Sequence, residues 1–152
     1  MNEREERIQQ IYDSGFNCAE SVLKACQEFF QLPGAEVIPK VASGLGGGMG
    51  RKGSVCGALT GGILALGLAM GRMDPKETAA RDRIYAKARE LYERFEREFG
   101  TVLCADLTQC DLGTPEGQQK FKELGLHKNL CSQFVQGTVK WVGEAIEGEP
   151  KA

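Results

Sequence analysis

The sequence is poor in the residues that many catalytic and metal sites are built from. It has one histidine, His127, and one tryptophan. A Ser–His–Asp arrangement or a histidine-rich metal centre has almost nothing to draw on. There is no C-x-x-C spacing, so neither a thioredoxin-type site nor a zinc ribbon is signalled. There is no basic excess: 19 Lys+Arg stand against 21 Asp+Glu, for a net charge of −2. That argues against nucleic acid as a partner, which would want a basic patch. The longest uncharged run, Val55 to Met70, falls short of the roughly 20 residues a membrane span needs, so no stable membrane insertion is expected. The first residues, Met1-Asn-Glu-Arg-Glu-Glu-Arg7, are charged and carry no apolar h-region, which excludes a secretory signal there. These absences leave one expected domain over residues 1–152, in the cytoplasm, long enough for a real core.

Cysteine and glycine are what the chain does have, with six and 20 respectively. In a reducing compartment six cysteines point to metal or redox chemistry more than to a disulfide framework. The chain is organised around residues 43–71, where a glycine-rich loop runs into an uncharged apolar segment with Cys56 at the junction. Ser54 reads as a helix N-cap, which makes Cys56 the second residue of a helix. With no polar face from Val55 to Met70, that helix should be buried all round. Gly57, Gly61, Gly62 and Gly67 each cost about 1 kcal/mol of helix propensity against alanine. They make sense where neighbouring helices approach the backbone closely.

The other segments read as the helices that surround it. Ile8, Ile11 and Tyr12 stand at helical spacing in a first charged helix, which Ser14-Gly15 breaks. Asn17 caps a second, with Glu20 completing a capping box and Ala19, Val22, Leu23, Cys26, Phe29 and Phe30 on one face. Asp74-Pro75-Lys76-Glu77 opens a long helix to Phe99. Thr101 caps a short segment holding Cys104. Thr114-Pro115-Glu116 starts another helix, and Asn129 caps the last one, with Cys131 its second residue. No strand is signalled. The fold reads as all-α, a compact bundle of five or six helices around a buried Gly-rich central helix.

Four cysteines, Cys18, Cys56, Cys104 and Cys131, each fall within about a turn of a predicted helix start. Helix starts offer free N–H groups and the positive end of the dipole, which favour thiolate. Converging, they suit an iron–sulfur cluster or a reactive dithiol. Cys26 sits mid-helix on the apolar face and reads as core. Cys110 is a candidate resolving thiol for Cys104, although six residues apart on one helix the two would point to different sides. Gly48-Met-Gly-Arg-Lys-Gly53 is a formal G-x-G-x-x-G, but it follows no strand, so the dinucleotide reading is weak. The better reading is a collar in which Gly46, Gly47, Gly48, Gly50 and Gly57 turn backbone N–H groups toward an anion or cluster, with Arg51 and Lys52 adding positive charge.

Taken together these residues resemble the C_GCAxxG_C_C family of redox-active proteins, over nearly the whole chain. The resemblance rests on Asn17-Cys18-Ala19, Ser43-Gly-Leu-Gly-Gly-Gly-Met-Gly50, Cys56-Gly-Ala-Leu-Thr-Gly61, Phe95 to Gly100 ahead of Cys104, and a late Cys131. The family pattern spells its central element with glycine first, whereas here cysteine comes first. The family is similar to the iron-centre part of split-Soret cytochrome c, which implies an iron–sulfur centre. This chain has no C-x-x-C-H and so no c-type haem attachment.

The expectation is therefore electron transfer through an iron–sulfur cluster bound by Cys18, Cys56, Cys104 and Cys131, with an unidentified redox partner protein. The first alternative is a thiol–disulfide oxidoreductase or redox sensor using the same cysteines, with Cys56, beside Arg51 and Lys52, the most acidic and attacking thiol. The second is a non-catalytic helical module whose Gly-rich helix packs against a partner or a second copy in a homodimer.

Overall fold

The computed structural model describes residues 1–148. Its helices are α1 (Glu3–Asp13), α2 (Cys18–Phe30), α3 (Gly46–Met49), α4 (Gly57–Met70), α5 (Thr78–Phe99), α6 (Cys104–Thr108), α7 (Pro115–Glu123) and α8 (Ser132–Glu147). Two 3-10 turns, Ala35–Val37 and Lys40–Leu45, fill the link from α2 to α3, and a π-helical turn, His127–Cys131, runs directly into α8. Among the described residues there is no strand, only an isolated antiparallel bridge between Val55 and Leu103. The fold is all-α as expected. The helix number exceeds five or six because α3 and α6 are one-turn elements that apolar periodicity cannot register.

Helix α4 lies at the centre. It packs most extensively against α2 and also against α5 and α8. The glycines set these distances. A Cβ added at Gly61 would stand 2.6 Å from the Ala19 carbonyl oxygen, and one at Gly57 would stand 3.2 Å from the Ala19 nitrogen. On the other side a Cβ at Gly62 would meet Thr138 Cγ2 at 2.6 Å and Leu91 Cδ2 at 3.1 Å. The three sites let α2, α5 and α8 close on the α4 backbone. Leu23, Leu59, Leu66 and Phe95 are then fully enclosed, each burial stabilising by about 1.5–3 kcal/mol. The enclosure is not complete, contrary to expectation: Leu64 and Ala69 are exposed, and Gly67 has nothing within 4 Å of an added Cβ. Three neighbours cover three sides of α4 and leave the fourth open.

Local signals were read well where they are short-range. The Asn17–Glu20 capping box forms, with each side chain accepting from the other's backbone N–H at 2.9 Å. Thr114 accepts from the Gly117 N–H at 3.0 Å and starts α7. Four starts differ. Thr101 Oγ1 accepts from the Leu103 N–H at 3.2 Å, which makes a turn before α6, and Leu103 is the N-cap residue with no side-chain cap. Glu77 does fold back onto the Asp74 N–H, at 2.9 Å, but Asp74–Glu77 closes as a turn and α5 begins at Thr78. Ser54 does not cap α4: its carbonyl accepts from the Cys104 N–H at 2.7 Å, and Cys56 itself is the N-cap residue. Asn129 caps no new helix. Its side chain donates back to the Leu124 carbonyl at 3.2 Å, so it closes the end of α7 while the π turn carries the chain into α8.

Candidate functional site

The site starts with a backbone of unusual hand. Gly47, Gly48, Met49, Gly50 and Arg51 have φ of 67°, 71°, 67°, 60° and 66°, a run of left-handed turn. Non-glycine residues pay about 1–2 kcal/mol each for this conformation, so the glycines supply the turn and Met49 and Arg51 are held in it. Two further contacts require glycine. A Cβ at Gly46 would lie 2.6 Å from Asn17 Nδ2, and one at Gly48 would lie 2.6 Å from the Ser54 nitrogen and 2.7 Å from Cys104 Cβ. The loop is tied to the start of α2 by polar bonds: Asn17 Nδ2 donates to the Ser43 carbonyl at 3.1 Å, and Ser43 Oγ donates to Glu20 Oε2 at 2.8 Å.

This packing surrounds Cys18, the first residue of α2. Cys56 donates its S–H to the Cys18 sulfur, and the backbone N–H groups of Cys18, Gly47 and Ala19 donate to it as well. Together these outweigh the cost of burial and hold the Cys18 thiol well below its ordinary value. Cys56 moves the other way. Its bond to Cys18 comes first, then burial, with only the Ala58 N–H opposing. The expectation that Cys56 is the acidic thiol is therefore reversed. Cys18 collects several N–H donors, one of them from a loop remote in sequence, whereas Cys56 spends its proton on Cys18.

The bridge between the Val55 and Leu103 segments holds the next two cysteines. The Cys56 N–H donates to the Val102 carbonyl at 2.7 Å and the Cys104 N–H to the Ser54 carbonyl at 2.7 Å. Cys18, Cys104 and Cys131 line one cavity of about 990 Å³, as do Gly46, Gly47, Gly50 and Arg51. Cys56 reaches the group through Cys18. Gly48 and Gly57 lie behind the wall, a Cβ on Gly57 standing 3.2 Å from Cys18 Sγ. Burial raises the Cys104 thiol to about 11 and the Cys131 thiol to about 12, with the neighbouring thiolate of Cys18 adding to both. Cys110 belongs to the same neighbourhood, contrary to the helical-spacing argument. Helix α6 ends at Thr108, Gln109 turns left-handed with φ 56°, and Thr108 Oγ1 bonds both the Cys104 carbonyl, at 2.8 Å, and the Cys110 N–H, at 3.2 Å. Cys26 is fully buried in the core, apart from the group, and all six cysteines are free thiols.

Sequence reading missed Tyr12 and His127. The Tyr12 ring lies at the cavity wall, 3 % exposed, and its hydroxyl hydrogen-bonds Cys131. Burial first, then the nearby cysteine sulfurs, push the phenol far up, so Tyr12 keeps its proton and donates it. His127 stacks on Tyr12 with ring centroids 3.7 Å apart and approaches Asp13 Oδ1 at 3.4 Å. One signal was available: a tyrosine on the core face of a helix needs a partner for its hydroxyl.

The donor set has the chemistry of iron–sulfur ligation, four cysteine sulfurs, two of which, Cys18 and Cys56, receive backbone N–H donors. Among the described residues, however, no group of three or more His, Cys, Asp or Glu side chains is gathered closely enough to hold a metal ion.

An all-α fold with three cysteines on one cavity, a fourth bonded to one of them and an N–H-lined thiol defines a class of helical thiol protein. The chain belongs to the family described as "Putative redox-active protein (C_GCAxxG_C_C)", whose pattern matches residues 16–145. It is also similar to an uncharacterized protein of Archaeoglobus fulgidus, 32% identical over 117 residues that cover 71% of this chain and 76% of the other. No solved structure matches it.

Proposed function

We propose that the chain performs thiol–disulfide redox chemistry, with Cys18 as the attacking thiolate and Cys56 as the thiol that resolves it. The observation that carries this reading is the hydrogen bond from Cys56 to Cys18 inside a nest of backbone N–H groups. A stabilised thiolate with a second thiol in contact is what exchange requires: the first opens an incoming disulfide, the second displaces it. Reduced protein is treated with a small excess of the thiol oxidant diamide and mapped by peptide mass under non-reducing conditions. A Cys18–Cys56 linkage is expected. Oxidation that links other pairs and spares these two would reject the assignment.

Electron transfer through an iron–sulfur cluster on Cys18, Cys56, Cys104 and Cys131 is the second reading. It is supported by three of those sulfurs facing one cavity. When bound, such a cluster supplies one-electron chemistry, and the Gly47 and Ala19 N–H groups would offset its negative charge. Anaerobic reconstitution with iron and sulfide separates the readings. Bound iron and sulfide that Ser at Cys104 or Cys131 abolishes would favour the cluster. Colourless, iron-free protein in which only Cys18 and Cys56 matter favours exchange. Cytoplasmic location and a single domain over residues 1–152 remain part of the proposal. No described helix is long and apolar enough to cross a membrane.

A further inference from the structure

The attacking thiol, Cys18, opens onto a cavity whose wall has a definite sign of charge. Acids outnumber bases 21 to 19 in the chain, yet among the described residues no aspartate or glutamate lines this cavity, while Arg51, Lys122 and His127 do. The remaining wall includes the apolar side chains of Phe16, Leu112 and Phe121.

Arg51 is placed at a cost. It ends the left-handed run, with φ 66°, where glycine would sit without strain. Its side-chain stem lies over Gly47: a Cβ on Gly47 would meet Arg51 Cγ at 2.8 Å. Gly47 in turn donates its N–H to the Cys18 sulfur. A strained, charged residue that lines the cavity and packs its stem on the loop holding the Cys18 sulfur points to use of that charge. Neither Arg51 nor Lys122 is paired with a carboxylate among the described residues, so both can meet an incoming anion.

We propose that the cavity binds a small anionic disulfide, its carboxylates toward Arg51 and Lys122, its apolar parts against Phe16, Leu112 and Phe121, and one sulfur at Cys18. The proposal rests on the thiol reading above and names its substrate class. The Cys18 thiolate attacks one sulfur of the substrate, a Cys18–substrate disulfide forms, the substrate S–S bond breaks, and one half leaves as thiolate. Cys56 then bonds to Cys18 Sγ, and the second half leaves as a thiol carrying the Cys56 proton. The substrate gains two electrons and the cysteine pair loses two.

The test compares two disulfide probes on reduced protein: oxidised glutathione, which is anionic, and cystamine, which is dicationic. Single-turnover rates are divided by the rate of each probe with free cysteine. The anionic probe should be favoured by about tenfold, the scale of one charged hydrogen bond in a partly desolvated site. Added salt should shrink that preference. Arg51→Gly, which suits the left-handed backbone and so keeps the fold, should abolish most of it, and Arg51→Lys should restore part. Lys122→Gln serves as a second, exposed variant. Equal rates, faster reaction with cystamine, or a preference unmoved by both charge-removing variants would overturn the proposal. Binding of S-methylglutathione, which cannot exchange, is followed in parallel by calorimetry. If it binds in an Arg51-dependent way while neither disulfide oxidises the protein, the anionic site stands and the exchange chemistry falls. If both probes oxidise the protein without regard to charge, the exchange chemistry stands and the anionic site falls.

Discussion

Cys18 and Cys56 differ by what their backbones hand them. Cys18 receives N–H groups from its own helix start and from Gly47, while Cys56 has the Ala58 N–H alone, keeps its proton and donates it as a hydrogen bond to Cys18. Alkylation by iodoacetamide followed residue by residue should therefore find Cys18 reacting first, with a midpoint below the usual thiol value near 8.5. In Cys56→Ala that midpoint should rise, since the variant removes the hydrogen bond that comes first in holding the Cys18 thiol down. A first-reacting Cys56 would contradict this order. The buried thiols make an opposite, global statement. Cys104 and Cys131 are raised to about 11 and about 12, so above pH 9 the unfolded chain releases protons that the folded one keeps. Their stability contribution is complete below pH 9 and is lost as pH climbs toward 11–12. Melting temperature should fall over that window, and fall less steeply in Cys131→Ala. A wild-type melting temperature flat from pH 8 to 11 would show that these thiols are open to solvent. None of this asymmetry was legible in the sequence, where both cysteines simply follow a capping signal. It arises from a loop that meets α2 only after folding.

At the scale of elements, glycine does three separable things, and substitutions can tell them apart. Gly61 keeps α2 close: a Cβ there falls 2.6 Å from the Ala19 carbonyl oxygen, so Gly61→Leu should destabilise by about 1–3 kcal/mol through overpacking. Gly67 has free space and ordinary helical backbone, so Gly67→Ala should stabilise by about 0.5–1 kcal/mol through propensity. Gly50 has free space but φ of 60°, so Gly50→Ala should cost about 1–2 kcal/mol from backbone strain alone. Urea melts of the three variants provide the check, and a shared sign would sink the distinction. The sequence made the Gly57/Gly61 face legible because a four-residue spacing repeats on a helix. It gave no sign that Gly67 is idle, because composition does not say which face lacks a neighbour. Caps followed the same division. Asn17 and Thr114 act on backbone within three residues and were read correctly. Asn129 and Ser54 were misread because each satisfies a more distant carbonyl or N–H.

Over the whole molecule, the all-α fold could be read from apolar periodicity. The cavity could not, because its wall draws on α1, the glycine loop, α6, α7 and the π turn together. Of those elements α7 is weakly anchored, whereas α1 buries Ile8, Ile11 and Tyr12 against the bundle. Helices α2, α4 and α8 pack on one another and bury Val22, Leu23, Leu59, Leu66, Val135, Val139 and Val142 almost completely. Helix α7 buries Gly117 alone, and is held partly by Lys120 Nζ donating to the Gln109 carbonyl at 2.7 Å and by Gln118 Nε2 donating to the Leu112 carbonyl at 2.9 Å. Stability is spread unevenly in such a structure, and segments with few buried apolar groups open first. Native-state hydrogen exchange should find the slowest amides in 22–26, 59–66 and 135–142, exchanging only through global unfolding. Amides of 118–124 should exchange orders of magnitude faster, through a local opening that leaves the central helices intact. That opening would widen the cavity in front of Cys18 without disturbing the capping box that positions it. Oxidation of Cys18 by a bulky disulfide should then speed up under mild urea that does not melt the core. If exchange in α7 tracks global stability instead, the wall is part of the core and substrates must enter by another side.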